Sequence, residues 1–205
     1  MSERQTGRRI FLSATAGLFA GCANGLPGAS MPPVRAKDVS SATVLANTHT
    51  VAGALSRSGQ PATVLSALDQ ALVNTVGHKI FTVLMVDLST DRNQRYYTNQ
   101  PESYPVGGSK QIVRTNDFYK DIIVAGKPRI CRDYDDMKRA FFDHELIRSL
   151  GCESAVNFPI RWNGQTIGSL NLCHEAYWYT EADLPAIGSF AALSIAPMLQ
   201  IMGHA

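Results

Sequence analysis

The residues with the widest chemical reach in this chain are three cysteines, Cys131, Cys152 and Cys173, and the dipeptide Cys173-His174. A thiol does nucleophilic or redox work only as a thiolate, which needs a lowered pKa and, for disulfide exchange, a second thiol within bonding reach. The same residue type also serves as a small buried apolar group, or as half of a structural disulfide in an oxidising compartment. Both kinds of role stay open. Metal chemistry is not indicated, because His49, His78, His144 and His174 lack partners at ligand spacing and a lone Cys-His pair is a weak motif.

A second group of residues suits recognition. Asn157 lies among apolar neighbours, and a buried amide must find a hydrogen bond, so it is either a pocket residue or a tie to the backbone. Tyr104, Lys110 and Arg114 fall where a pocket rim is expected and can hold a carboxylate or phosphate; solvated loop residues have the same composition. His174 either orients a polar ligand together with Glu153 or closes a hairpin mouth with it. Tyr104, Lys110, Asn157 and His174 are the candidate ligand-binding set. No catalytic residue, metal ligand or cofactor is assigned. Trp178 and Tyr179 are expected to pack at the start of the last helix.

The elements that must position these groups are legible from periodicity. Val64, Leu65, Leu68, Leu72 and Val76 form an apolar stripe between Pro61 and Gly77, which predicts a helix over 61–76. Residues 80–88 are apolar enough for a strand covered on both faces, and 94–99 read as a second strand after a turn at 89–93. Residues 101–152 mix Gly, Pro and charge with short amphipathic pieces at 116–125, 134–142 and 144–150 and a brief strand near 129–132. Long segments of this kind more often cover a binding site than fill a core.

Asn163-Gly164 between two apolar runs predicts a type I′ hairpin joining strands over 154–162 and 165–174, because both central residues must take positive φ. Regular pairing from that turn sets Ile160 opposite Ile167, Asn157 opposite Leu170 and Glu153 opposite His174, with Asn157 and His174 on one face. Cys152 and Cys173 become near neighbours. Thr180 and Asp183 start a final helix that turns Leu184, Ile187, Ala191, Ile195 and Met198 inward, and Pro197 bends or ends it. The first and last helices are expected side by side on one sheet face, with a pocket under the 101–152 cover.

Composition sets the outer limits. The chain has 205 residues, 45% hydrophobic and 18% charged, which fits one folded domain plus an extension. Residues 1–22 hold Arg4, Arg8 and Arg9 against Glu3, leaving 16 basic and 16 acidic residues for the rest. That balance offers no surplus for neutralising phosphates, so no nucleic-acid partner is expected.

Arg8-Arg9 followed by Ile10-Phe11-Leu12-Ser13 and a small, apolar run to Ala23 resembles a twin-arginine export signal, over 1–23. The 14 residues from Ile10 to Ala23 are too few to span a bilayer. Leu18-Phe19-Ala20-Gly21-Cys22 is similar to a lipoprotein cleavage site; Cys22 is then a lipid anchor and the sole membrane contact, or else an incidental residue of the signal. An organellar presequence is the remaining alternative. The expected location is periplasmic or exported. Residues 24–59, rich in Gly, Pro and Ser at the start, read as a linker with a helix near Val44, Thr48, Val51 and Leu55.

The order of elements and several strings over 60–201 are similar to a GAF domain. The strings are Phe81-Thr82-Val83, Tyr104-Pro105-Val106-Gly107, Leu150-Gly151-Cys152, Val156-Asn157-Phe158-Pro159-Ile160 and Ile167-Gly168-Ser169-Leu170. The resemblance implies an α+β fold, with a central antiparallel sheet, N- and C-terminal helices on one face and a small-molecule pocket on the other. It implies a ligand-binding or signalling sensor domain rather than an enzyme, with an unknown small molecule as ligand. The alternative it implies is a free methionine-(R)-sulfoxide reductase-like thiol enzyme, although the cysteine-aspartate string of that branch is missing here. Cys173-His174 is similar to the pair that attaches bilin in phytochrome GAF domains, where it sits on a helix and not at a strand end. A third reading is a homodimerisation module built on the terminal helices. No kinase, cyclase or DNA-binding segment follows, so any signal is expected to leave through a partner protein.

Overall fold

The computed structural model describes residues 37–203. The paired arginines, Cys22 and the first part of the expected linker lie outside the described residues. From Lys37 onward the helix expected near Val44, Thr48, Val51 and Leu55 is present as α1 (Ser41–Leu55), but it is part of the folded body and not of a linker. The Ser40 hydroxyl caps its first turn by accepting the Thr43 N–H at 3.3 Å, and Val51 and Ala54 turn inward. Upstream, the Asp38 amide donates to the Thr75 carbonyl at 2.9 Å and Lys37 Nζ lies 2.8 Å from the Asp183 carboxylate.

α2 (Ala62–Thr75) carries the expected stripe and ends before Gly77, whose φ of +73° suits glycine. Six strands follow: β1 (Ile80–Asp87), β2 (Arg92–Thr98), β3 (Ser109–Gln111), β4 (Arg129–Cys131), β5 (Ser154–Trp162) and β6 (Gln165–His174). They form one antiparallel sheet in the order β3-β2-β1-β6-β5-β4. β3 was not foreseen, since three residues carry no period. Between strands, the cover contains a π-helical segment (Phe118–Val124), α3 (Tyr134–Ala140) and α4 (His144–Ser149).

The chain closes with a short 3-10 turn (Glu181–Asp183), α5 (Leu184–Leu193) and α6 (Ile195–Gly203). The Asp183 carboxylate accepts the Thr180 N–H at 2.7 Å, completing the expected cap. Pro197 does not interrupt its own turn. Its missing N–H and the clash of its ring with the Leu193 carbonyl break the helix one turn earlier, so α5 and α6 meet at 43° and Pro197 sits in the first turn of α6. No single described helix is long and apolar enough to cross a membrane.

One sheet face packs on α2, α5 and α6 through Leu68, Leu72, Phe81, Val83, Val156, Leu170, Leu172, Ile187, Phe190 and Met198, and α1 lies against α2 and α5. Each such fully buried side chain contributes about 1.5–3 kcal/mol. Gly168 makes this packing possible, since a Cβ there would lie 2.4 Å from the Leu84 carbonyl oxygen and 2.7 Å from Met198 Cε. The opposite face meets the cover through a smaller cluster that includes Ile80, Tyr104, Met137, Ile147 and Ala155.

The hairpin turn is as expected, with Asn163 at φ +47° and Gly164 at +77°. The register beyond it is not. Arg161 pairs with Thr166 but Ile160 pairs with Gly168, so Ile167 is an extra, bulged residue and every later pair shifts by one. Asn157 therefore faces Asn171 instead of Leu170, and Ser154, not Glu153, faces His174. A second bulge lies in β2: Val83 pairs with Tyr97 and Leu84 with Arg95, leaving Tyr96 extra.

Candidate functional site

A cavity of about 480 Å³ lies between the cover and the second sheet face. Its floor is built by strand alternation: Ile80, Thr82 and Leu84 from β1, Asn93 and Arg95 from β2, Asn157 from β5, Asn171 and Cys173 from β6. The cover adds Tyr104, Lys110, Ile112, Phe118, Phe141 and Ile147, together with Phe142, which is 81% exposed and stands at the mouth. Most of this wall is apolar, and the charged residues in it are Arg95 and Lys110.

The polar groups fall into two sets. In the first, Asn157 Nδ2 donates to Asn171 Oδ1 at 2.7 Å, while Asn171 Nδ2 reaches the Thr82 carbonyl and hydroxyl, each at 3.4 Å. In the second, the Tyr104 hydroxyl donates to Asp143, and Lys110 Nζ lies 3.0 Å from that hydroxyl and 2.9 Å from the same carboxylate. Burial, reinforced by the Asp143 charge, pushes the Tyr104 phenol above its ordinary pKa, so it keeps its proton. Lys110 is thus neutralised locally.

Arg95 is different. Its side chain is buried, the residue being 6% exposed, with Nη1 donating to the Pro105 carbonyl at 2.8 Å and the guanidinium 3.7 Å from the Tyr104 ring centroid. Burial lowers its pKa, yet a guanidinium stays charged at any ordinary pH. Arg95 Nε, Asn93 Oδ1 and Asn157 Oδ1 are buried without a hydrogen-bond partner, and all three side chains line the cavity. Each such atom forfeits about 1–3 kcal/mol unless something fills the space and bonds to it.

Of the four residues expected in the site, the structure brings together Tyr104, Lys110 and Asn157. His174 is a correction: the bulge at Ile167 turns it to the helical face, where its ring stacks on Trp178 with centroids 3.6 Å apart. There Nδ1 accepts the Glu175 N–H at 2.8 Å, and burial, aided by Lys79, pulls its pKa down to about 4. Glu153 ion-pairs with Arg148 at 3.0 Å instead. Arg114, expected at the rim, pairs with Asp91 at 2.7 Å and is not a lining residue.

Cys131, Cys152 and Cys173 are free and buried. Ala155 stands between Cys131 and Cys173 on the strand that separates them. Burial raises all three thiol pKa values, Cys152 to about 12, which is opposite to what a nucleophile needs. Cys173 lines the cavity whereas His174 points away from it, so this dipeptide does not act on one ligand. Among the described residues no group of three His, Cys, Asp or Glu side chains is placed to hold a metal ion.

Asn93, Arg95 and Asn171 were missed from the sequence. Asn171 had a readable signal, lying between Leu170 and Leu172 as Asn157 lies between Val156 and Phe158. Arg95 had none, since it follows the polar Asn93 and Gln94 and no apolar alternation marks its face.

Comparison with known proteins agrees with this architecture. The GAF domain of a phosphoenolpyruvate-protein phosphotransferase from Coxiella burnetii superposes with TM-score 0.62 at 12% identity, covering 80% of this chain and 96% of that one. The phycoerythrobilin-bound GAF domain of a cyanobacterial phytochrome gives 0.63 at 13%, covering 81% and 100%. Free methionine-R-sulfoxide reductase from Neisseria meningitidis, in complex with its substrate, gives 0.57 at 15%, covering 83% and 98%. These likenesses concern the fold. No curated protein matches the chain. The family profile of the GAF domain matches residues 60–195, two thirds of the sequence, and with a six-stranded antiparallel sheet that packs helices on one face and encloses a cavity on the other, this chain belongs to the GAF domain family.

Proposed function

We propose that this chain is a sensor domain that binds a small molecule in the cavity above Asn157 and passes occupancy to a partner protein without transforming the ligand. The observation that carries this reading is the set of three buried, unpartnered polar atoms on side chains that line an otherwise apolar cavity. A site evolved only for packing would satisfy them or replace them with apolar groups. The size of the cavity lies within the range for small-molecule pockets of about 300–1,000 Å³. That a phytochrome GAF domain of this fold holds phycoerythrobilin, and a reductase of this fold its substrate, supports a ligand here too. The raised thiol pKa values favour binding over thiol catalysis.

Export belongs to the same proposal and is supported by the Arg8-Arg9 segment. The test is native mass spectrometry of protein purified from its own cells. The expected result is a non-covalent adduct of small mass, released on denaturation and lost in Asn157→Leu. Turnover of methionine sulfoxide with a thiol donor, abolished by Cys173→Ser, would overturn the binding-only reading.

A further inference from the structure

Resting on the small-molecule reading above, we propose that the occupant is an apolar carboxylic acid: its carboxylate sits on the Nε edge of Arg95, and an N–H or O–H elsewhere on it donates to Asn157 Oδ1.

The argument begins with the charge on Arg95. A buried guanidinium is costly without a counter-charge, and here it meets one carbonyl and one aromatic face. The nearby carboxylate, Asp143, is already held by Lys110 and Tyr104. The three charged groups around the cavity therefore sum to one positive charge. A single carboxylate balances it, whereas a phosphate monoester would leave excess negative charge in a buried site. Guanidinium and carboxylate also match as planar, paired hydrogen-bonding groups.

The second contact follows from the direction of a hydrogen-bond chain. Asn171 Nδ2 is turned toward Thr82, so Asn171 presents Oδ1 to Asn157, and Asn157 must present Nδ2 in return. The free atom of Asn157 is then its oxygen, an acceptor that asks for a donor. Leu84, Ile112, Phe118 and Phe141 supply the wall between, which suits a hydrocarbon or aromatic body.

The experiment is calorimetric titration of the described domain within the full chain, using two acids with matched neutral amides: indole-3-acetate against indole-3-acetamide, and N-acetyl-L-phenylalanine against its amide. For at least one pair, the acid is expected to bind about tenfold tighter than the amide or better, as a charge-assisted contact implies. Arg95→Gln should bring that ratio to about one, and Arg95→Lys should keep part of it. 1-Methylindole-3-acetate, which lacks the N–H, should bind more weakly than indole-3-acetate in the wild type and equally in Asn157→Leu. If Arg95→Gln fails to fold, the wild-type ratio and Arg95→Lys decide. Amides binding as tightly as acids, or an acid preference that survives Arg95→Gln, would overturn the proposal and leave the receptor reading standing. No binding by either member of both pairs at millimolar concentration also overturns it. That result together with a native mass spectrum free of adduct removes the receptor reading as well.

Discussion

His174 accepts the Glu175 amide at Nδ1 and stacks on Trp178, so its neutral ring is the folded form. Its pKa is about 4 when folded and about 6.5 when unfolded, so the unfolded chain takes up this proton first as pH falls. The stabilisation is present in full above pH 6.5 and is lost progressively toward pH 4. Thermal melts should show the midpoint falling between pH 6.5 and 5, a window above that of the depressed carboxylates of Asp38, Asp87 and Asp133. His174→Phe, which keeps an aromatic ring against Trp178, should flatten that slope. An equal slope in the variant would show that the ring is not the titrating group. Regular pairing sets His174 opposite Glu153 on the same face as Asn157, and at this scale the error is one residue of register. Asn157 itself was legible, because a mid-strand amide among apolar neighbours requires a partner wherever the strand lies.

Strands and helices were legible where their period is long. The 9-residue β5 and 10-residue β6 match their expected limits, while α2 and the start of α5 fall within a few residues of theirs. The two bulges were not legible, and they decide the site. Without the extra Tyr96, Arg95 would face the helices; without the extra Ile167, Asn171 would, and His174 would face the cover. Close approach of β1 to β6 at Gly168 leads to a pair of opposite expectations for glycine. Gly168→Ala puts a Cβ against the Leu84 carbonyl and should cost about 3 kcal/mol in urea denaturation. Gly53→Ala, on the exposed side of α1 with open space around it, should stabilise by roughly 0.5–1 kcal/mol. Similar effects at both positions would mean that the β1–β6 contact is looser than described.

For the molecule as a whole, burial of the three thiols among the described residues leads to a labelling experiment. Cys131, Cys152 and Cys173 should resist iodoacetamide at pH 8 in the native protein and all react in guanidinium chloride, read by peptide mass spectrometry. Rapid native labelling of Cys173 would bring thiol chemistry back into consideration. Replacing Arg8 and Arg9 together by Lys should retain the protein inside the cell, measured by fractionation, if the paired-arginine segment directs export. Unchanged export would count against that role. The domain limit belongs to this scale as well: α1 was expected as part of a linker, but Val51, Ala54 and the Lys37–Asp183 pair bind it to the body. Its weak apolar pattern hid this, because only a narrow face of the helix is covered.

Local chemistry was enough to determine the α+β class, the Asn-Gly hairpin, the capped last helix and the existence of a covered face. These depend on turn geometry, capping and apolar period, all of which act between residues close in the chain. Which side chains share the cavity was decided by the tertiary structure alone. Side-chain direction in a strand reverses with every residue, so one inserted residue in β2 and one in β6 reassign whole faces. Those insertions are selected by packing between strands far apart in sequence, which no local pattern records.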